Sequence, residues 1–127
     1  MSDDFKSTIV RANRELGVKE RIALKDINDA VKLDKAASGE GVLIYPVLWA
    51  EIAIHNPKSE NPDYTSYVIV DKEGLKFTTS SPSFWRSFTD IVEEIEDSED
   101  QTIEWGIRVF KKQSKNFAGD FITCSII

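Results

Sequence analysis

The stretch Tyr64 to Ile95, YTSYVIVDKEGLKFTTSSPSFWRSFTDIVEEI, decides the fold. Tyr64 to Val70 and Leu75 to Thr79 are rich in β-branched and aromatic residues, and Asp71-Lys72-Glu73-Gly74 between them has turn composition with glycine at its end. The two runs predict a hairpin. Ser81-Pro82 then marks a helix start. The serine hydroxyl can accept from an unpaired first-turn amide, and proline in that turn has no N–H to lose. Phe84, Phe88, Ile91 and Ile95 follow at spacings of four, three and four, which is one apolar stripe of an amphipathic helix. That stripe is read as core-packing surface and not as a cofactor box. The acids from Asp97 to Asp100 oppose the helix macrodipole and favour an ending there.

Working outward from this hairpin and helix, Val42 to His55 reads as one long strand interrupted at Pro46, which cannot donate to a ladder. Leu48, Ala50, Ile52 and Ile54 fall on one face; Trp49, Glu51, Ala53 and His55 fall on the other. Asn56 to Asp63 is an exposed loop, and Ser38-Gly39-Glu40-Gly41 is another. Downstream, Thr102 to Phe110 alternates, with Ile103, Trp105, Ile107 and Val109 inward and Glu104, Arg108 and Phe110 outward. Lys111 to Gly119 is a polar loop, and Phe121 to Ile127 is the last strand. Ile22 to Leu24 is read as extended, and Asp26 to Ala30 as one helical turn with Ile27 and Val31 inward. The expected architecture is mainly β with one helix: an OB-fold, a five-stranded Greek-key barrel with the helix between strands three and four. Residues 1–20 are expected to form a partly flexible N-terminal arm, and residues 21–127 the OB domain.

Composition bounds the chemistry. The chain has 127 residues, 41% apolar and 10% aromatic, enough for one domain with a proper core. No apolar run approaches the roughly 18–20 residues needed to cross a bilayer. The start carries Asp3 and Asp4 without an apolar signal core, so a cytoplasmic protein with no membrane partner is expected. Cys124 and His55 are the only residues of their kinds, which leaves no disulfide and no zinc site. Cys124 alternates with Ile122 and Ile126 and is read as a buried thiol, and His55 as a turn-edge surface residue. No phosphate-cradling glycine loop and no nucleophile near a histidine is present, so catalysis and cofactors are not expected.

The net charge of −6 is unevenly spread. Seven acidic residues and no basic one lie between Glu93 and Glu104; without them, 15 acids face 16 lysines and arginines. From Trp105 onward Arg108, Lys111, Lys112 and Lys115 face only Asp120. Local fields matter more than totals for a binding groove. An OB barrel binds on strands two and three and on the loops beside them. The candidate contacts there are Trp49, Lys58, Tyr64, Tyr67, Lys72 and Lys76, joined by Arg108, Phe110, Lys111, Lys112, Lys115 and Phe117 from the last hairpin. Aromatic faces stack bases at roughly 1–3 kcal/mol each, and cations track phosphates, so this set fits a single strand.

The second half of the chain resembles the single-stranded DNA-binding proteins of Gram-positive phages and conjugative plasmids. The matching features are Tyr67 to Gly74, the Ser/Thr-rich entry Thr78 to Ser83 into one helix, and Ser114-Lys115-Asn116-Phe117-Ala118-Gly119-Asp120-Phe121-Ile122 leading into the final strand. The resemblance implies an OB fold, non-specific coating of single-stranded DNA during replication, recombination or transfer, and no catalysis. RNA is an alternative ligand. Self-association through the arm is a further expectation, since Phe5, Ile9, Val10 and Leu16 are not needed by the barrel. The chain lacks the glycine-rich linker and acidic tail of better-known bacterial relatives, so tail-mediated recruitment is not expected. A competing class is an acidic interaction protein that mimics DNA with its Glu93 to Glu104 cluster and inhibits a host enzyme.

Overall fold

The computed structural model describes residues 6–26, 30–58, 60, 62–98, 104–113 and 120–127. In chain order the elements are β1 (Lys6–Ala12), α1 (Val18–Lys25), β2 (Val31–Lys32), α2 (Leu33–Ala36), β3 (Val42–Ile44) and β4 (Pro46–His55). They continue with β5 (Asp63–Asp71), β6 (Lys76–Thr79), α3 (Pro82–Glu96), β7 (Ile107–Gln113) and β8 (Asp120–Ile126). The fold is mainly β, and α3 follows the hairpin as expected. The strands form two open sheets, one in the order β1-β4-β5-β6-β2 and one in the order β3-β7-β8; no barrel closes among the described residues. The chain divides into two compact units: Met1–Val31 with Val47–Ser80, and Lys32–Pro46 with Ser81–Ile127. None of the described helices is long and apolar enough to cross a membrane.

The first unit is built on the predicted hairpin. Strands β5 and β6 pair antiparallel, with Tyr67 opposite Thr79 and Ile69 opposite Phe77. Their turn closes because the Asp71 carboxylate accepts from the amides of Glu73 and Leu75, each at 2.9 Å, while Gly74 takes φ +89°. Leu48, Ala50, Ile52 and Ile54 of β4 and Val68 of β5 form the core with Leu24 of α1.

Two expectations change in this unit. Much of the stretch read as an arm is structured: β1 pairs antiparallel with β4, Ile9 opposite Ile52 and Ala12 opposite Ala50, with an irregularity between Ile9 and Arg11. Ile9, Ala12 and Leu16 pack on the core, so these apolar groups serve it. Residues 22–24 are helical and not extended. In α1 only Leu24 is buried and Ile22 is exposed, so one side chain anchors the helix. The Lys76 ammonium closes its C-terminal end, donating to the carbonyl of Ala23 at 2.8 Å and to that of Asp26. Most of the turn expected at 26–30 lies outside the described residues.

The second unit places α3 against β8. Its N-cap is as read: Ser81 Oγ accepts from the Phe84 amide at 3.2 Å, and Pro82 opens the helix. The buried stripe is Phe84, Trp85, Phe88 and Val92, rotated from the expected one so that Ile91 and Ile95 are only half-buried. Trp85 lies 5.1 Å and Trp105 6.4 Å from the Phe88 ring centroid, which explains the rotation: α3 is anchored by aromatics. The run Val42 to His55 is two strands in different sheets. Pro46 removes the amide that a continuous ladder would need, and the chain changes sheet there. The short α2 is a third helical segment, beyond the one helix expected. Strand β7 starts only at Ile107; the expected inward residue Ile103 lies outside the described residues.

Candidate nucleic-acid interface

The β3-β7-β8 sheet has two unlike faces. In β7, Ile107 and Val109 are fully buried while Arg108 is exposed; in β8, Ile122 and Cys124 are buried while Phe121 and Ser125 are exposed. This alternation is the two-residue period of a strand with one face covered, here by α3. Register then decides which outer residues are neighbours. Arg108 pairs with Leu43 on one side and Ser125 on the other, Phe110 with Thr123, and Lys112 with Phe121. Opposed residues of an antiparallel pair share a face at about 5 Å between β-carbons, and diagonal ones are within reach of aromatic side chains.

Three rings and two cations therefore share the open face. Phe110 is half-buried and lies under the Arg108 guanidinium, 4.8 Å from the ring centroid. Phe121 and Tyr45 are each 39% exposed, which leaves part of each ring open to solvent. Two glycines make room for this arrangement. A β-carbon on Gly106 would come within 2.7 Å of the Tyr45 ring, so the ring lies directly over that glycine. Gly41, at φ +89°, runs beside Phe110; a β-carbon there would sit 2.4 Å from the Val109 carbonyl oxygen.

Of the residues singled out from sequence, Arg108, Phe110 and Lys112 come together here. Lys111 alternates to the other face of β7, and Lys115 and Phe117 lie outside the described residues. The remaining six belong to the first unit. Lys76 is spent on the end of α1. Tyr64 packs on the core and lines an open cleft with His55 and Asp63, whose side chains meet at 2.6 Å. Tyr67 lies on the opposite face of β5, its phenol pushed up by burial and by the Glu51 carboxylate. Trp49 is half-buried on β4, and Lys58 and Lys72 are exposed in turns. Tyr45, Leu43 and Phe121 were missed. Strand parity alone flags Phe121, since Ile122 and Cys124 claim the buried face, while Ile126 shares their parity but is exposed; Tyr45 and Leu43 need the long-range pairing of β3 with β7.

Cys124 belongs behind this face. Burial pushes its thiol up to about 12, and it has no role in binding on the other side of the sheet. Among the described residues no group of His, Cys, Asp and Glu is placed to hold a metal. In comparison with known proteins, no family model, no curated protein and no solved structure matches this chain.

Proposed function

We propose that the chain binds single-stranded DNA without sequence preference on the open face of the β3-β7-β8 sheet. The observation that carries this reading is the grouping of Tyr45, Phe110 and Phe121 with Arg108 and Lys112 on the face away from α3. A flat sheet studded with rings accepts any base, because every base has a π-face, and interleaved cations meet the phosphates between them. In the free protein Arg108 covers Phe110. A base arriving on that ring displaces the guanidinium, which is then positioned for the neighbouring phosphate. The finer reading is an OB-type coating protein of a phage or conjugative plasmid, acting in replication, recombination or transfer. It is supported by the order hairpin, helix, closing strands and by the residue pattern of the last segment.

Fluorescence anisotropy with a labelled oligothymidylate across a salt series tests the proposal. The expected result is binding that weakens steeply with salt and is tighter than for duplex of equal length. Equal or tighter duplex binding overturns it. If no oligonucleotide binds at any salt, the proposal is overturned; the competing DNA-mimic reading would use the exposed acids Glu93, Glu94 and Glu96 of α3 and Asp97 just after it.

A further inference from the structure

The outer face of the second sheet has a direction, and the strand register fixes it. Along β7 the outward positions are Arg108, Phe110 and Lys112, and Gly106 has the same parity just before the strand. The ladder reaches that glycine, because the Ile127 amide donates to the Gly106 carbonyl at 3.0 Å. Strand residues two apart stand about 7 Å apart, so the line from Gly106 to Lys112 is about 20 Å long.

Gly106 has no side chain to place in this line, and a neighbour fills its position. A β-carbon there would meet Tyr45 Cδ1 at 2.7 Å and Cε1 at 2.8 Å, so the ring occupies that space. Gly106 is buried, and its φ lies outside the left-handed region that Gly39, Gly41 and Gly74 adopt. Its backbone would accept another residue. The ring is what requires the glycine; the next obstacle, the Ile44 carbonyl oxygen at 3.0 Å, is milder.

Over the central strand the order is then ring, cation, ring, cation: Tyr45, Arg108, Phe110, Lys112. Across the strands the order differs. The row Leu43–Arg108–Ser125 has a cation and no ring, Phe110–Thr123 has a ring and no cation, and only Lys112–Phe121 has one of each. A single strand of nucleic acid presents bases and phosphates in alternation along its length, and rings take the bases while cations take the phosphates. The lengthwise order matches that alternation, and no row repeats it. The next residue of the same parity, Glu104, is an exposed carboxylate that repels phosphate, so the path ends at Tyr45.

We infer that single-stranded DNA lies lengthwise along β7, between Tyr45 and Lys112, and that Gly106 is a positioning residue that admits the Tyr45 ring to this path. The inference rests on the sheet-face reading and adds to it the direction of the bound strand.

The test uses the full chain and a short oligothymidylate carrying a nitroxide on its 5′ or its 3′ end, with amide signals followed by NMR. The two labels are expected to broaden opposite ends of β7, Tyr45 and Gly106 for one and Lys112 and Phe121 for the other. Broadening centred on Leu43 for one label and on Ser125 for the other means that the strand crosses β7, which overturns the inference and leaves the sheet-face reading intact. Broadening of none of these amides by a bound oligonucleotide overturns both. The role of Gly106 is read from affinity. Gly106→Ala should weaken oligothymidylate about tenfold, as Tyr45→Ala does, the loss of one stacked base. The double variant should lose no more than Tyr45→Ala alone, because the glycine acts through the ring. Tyr45→Phe keeps the ring and should bind as the parent does. A glycine needed only for folding would lower the melting temperature and leave the affinity of the folded protein unchanged, which overturns the positioning role. Should Gly106→Ala fail to fold, the end labels on the parent and the Tyr45 variants still decide: parental affinity in Tyr45→Ala removes the ring from the path.

Discussion

Single residues carry most of the binding argument. Phe121 is exposed at the edge of its sheet, beside Lys112, and contributes little to the core. Phe121→Ala should therefore lower oligonucleotide affinity by about 1–3 kcal/mol, the worth of one stacked base, while the melting temperature stays close to the parent's. An affinity loss matched by an equal loss of stability would mean that the ring only packs. Gly41 gives the opposite pattern. Its φ of +89° and its 2.4 Å approach to the Val109 carbonyl leave no room for a side chain. Gly41→Ala should destabilise the fold by about 1–3 kcal/mol in urea unfolding, with the backbone beside Phe110 displaced. Cys124 adds a pH dependence. Its folded thiol titrates at about 12 against an ordinary value of 9.0, so above the unfolded value the unfolded state releases a proton that the folded state retains. Its contribution is fully present below about pH 9 and is lost as pH rises toward 12. Relative to the parent, Cys124→Ser should fall less steeply in stability over that window; an identical slope would remove the thiol as the cause.

At the scale of elements, the hairpin β5–β6 and the helix α3 were legible because each announces itself locally. A run of β-branched residues, an Asp-x-x-Gly turn and a Ser-Pro cap need no distant partner to be read. β1 and α1 were not legible for the converse reason. β1 turns Lys6, Thr8, Val10 and Arg11 to solvent at the sheet edge, and α1 buries one residue, so neither shows a strong period. What holds α1 is largely tertiary: Leu24 in the core and the Lys76 ammonium on its last carbonyls. Lys76→Met keeps the aliphatic stem and removes the donor. The amides of Leu24 to Asp26 should then exchange hydrogen faster, by about 1–2 kcal/mol of lost local protection, while those of β5 are unchanged. Uniform acceleration across both elements would show that the lysine supports the whole unit. The candidate face has the same history. Arg108, Phe110 and Lys112 follow from alternation along one strand, but joining Tyr45 and Leu43 to them requires β3 to pair with a strand more than sixty residues later.

For the whole molecule, the charge pattern makes an acidic chain compatible with the anionic ligand proposed above. The total of −6 is weighted by the acids of α3 and the segment after it, while the open face of the second sheet carries Arg108 and Lys112. Arg108→Ala/Lys112→Ala should weaken binding equally for all sequences and reduce the salt slope by up to about two units, one per phosphate contact. A slope left unchanged would move the contact surface elsewhere. The two units also have an uneven relation to chain order. All residues of the first lie before Ser81, whereas the second takes Lys32–Pro46 from the interior of the chain and everything else from Ser81 onward. A ribosome making this protein thus exposes the complete first unit while β3 still lacks its neighbour β7. At roughly 5–20 residues per second, the rest of the chain takes a few seconds more to be made. Through that interval Ile44 and Leu33, both fully buried at the end, have no finished core to enter, and the nascent chain is at its most vulnerable to aggregation and chaperone capture. The proposed strand-binding face is completed only when β7 and β8 follow the first unit.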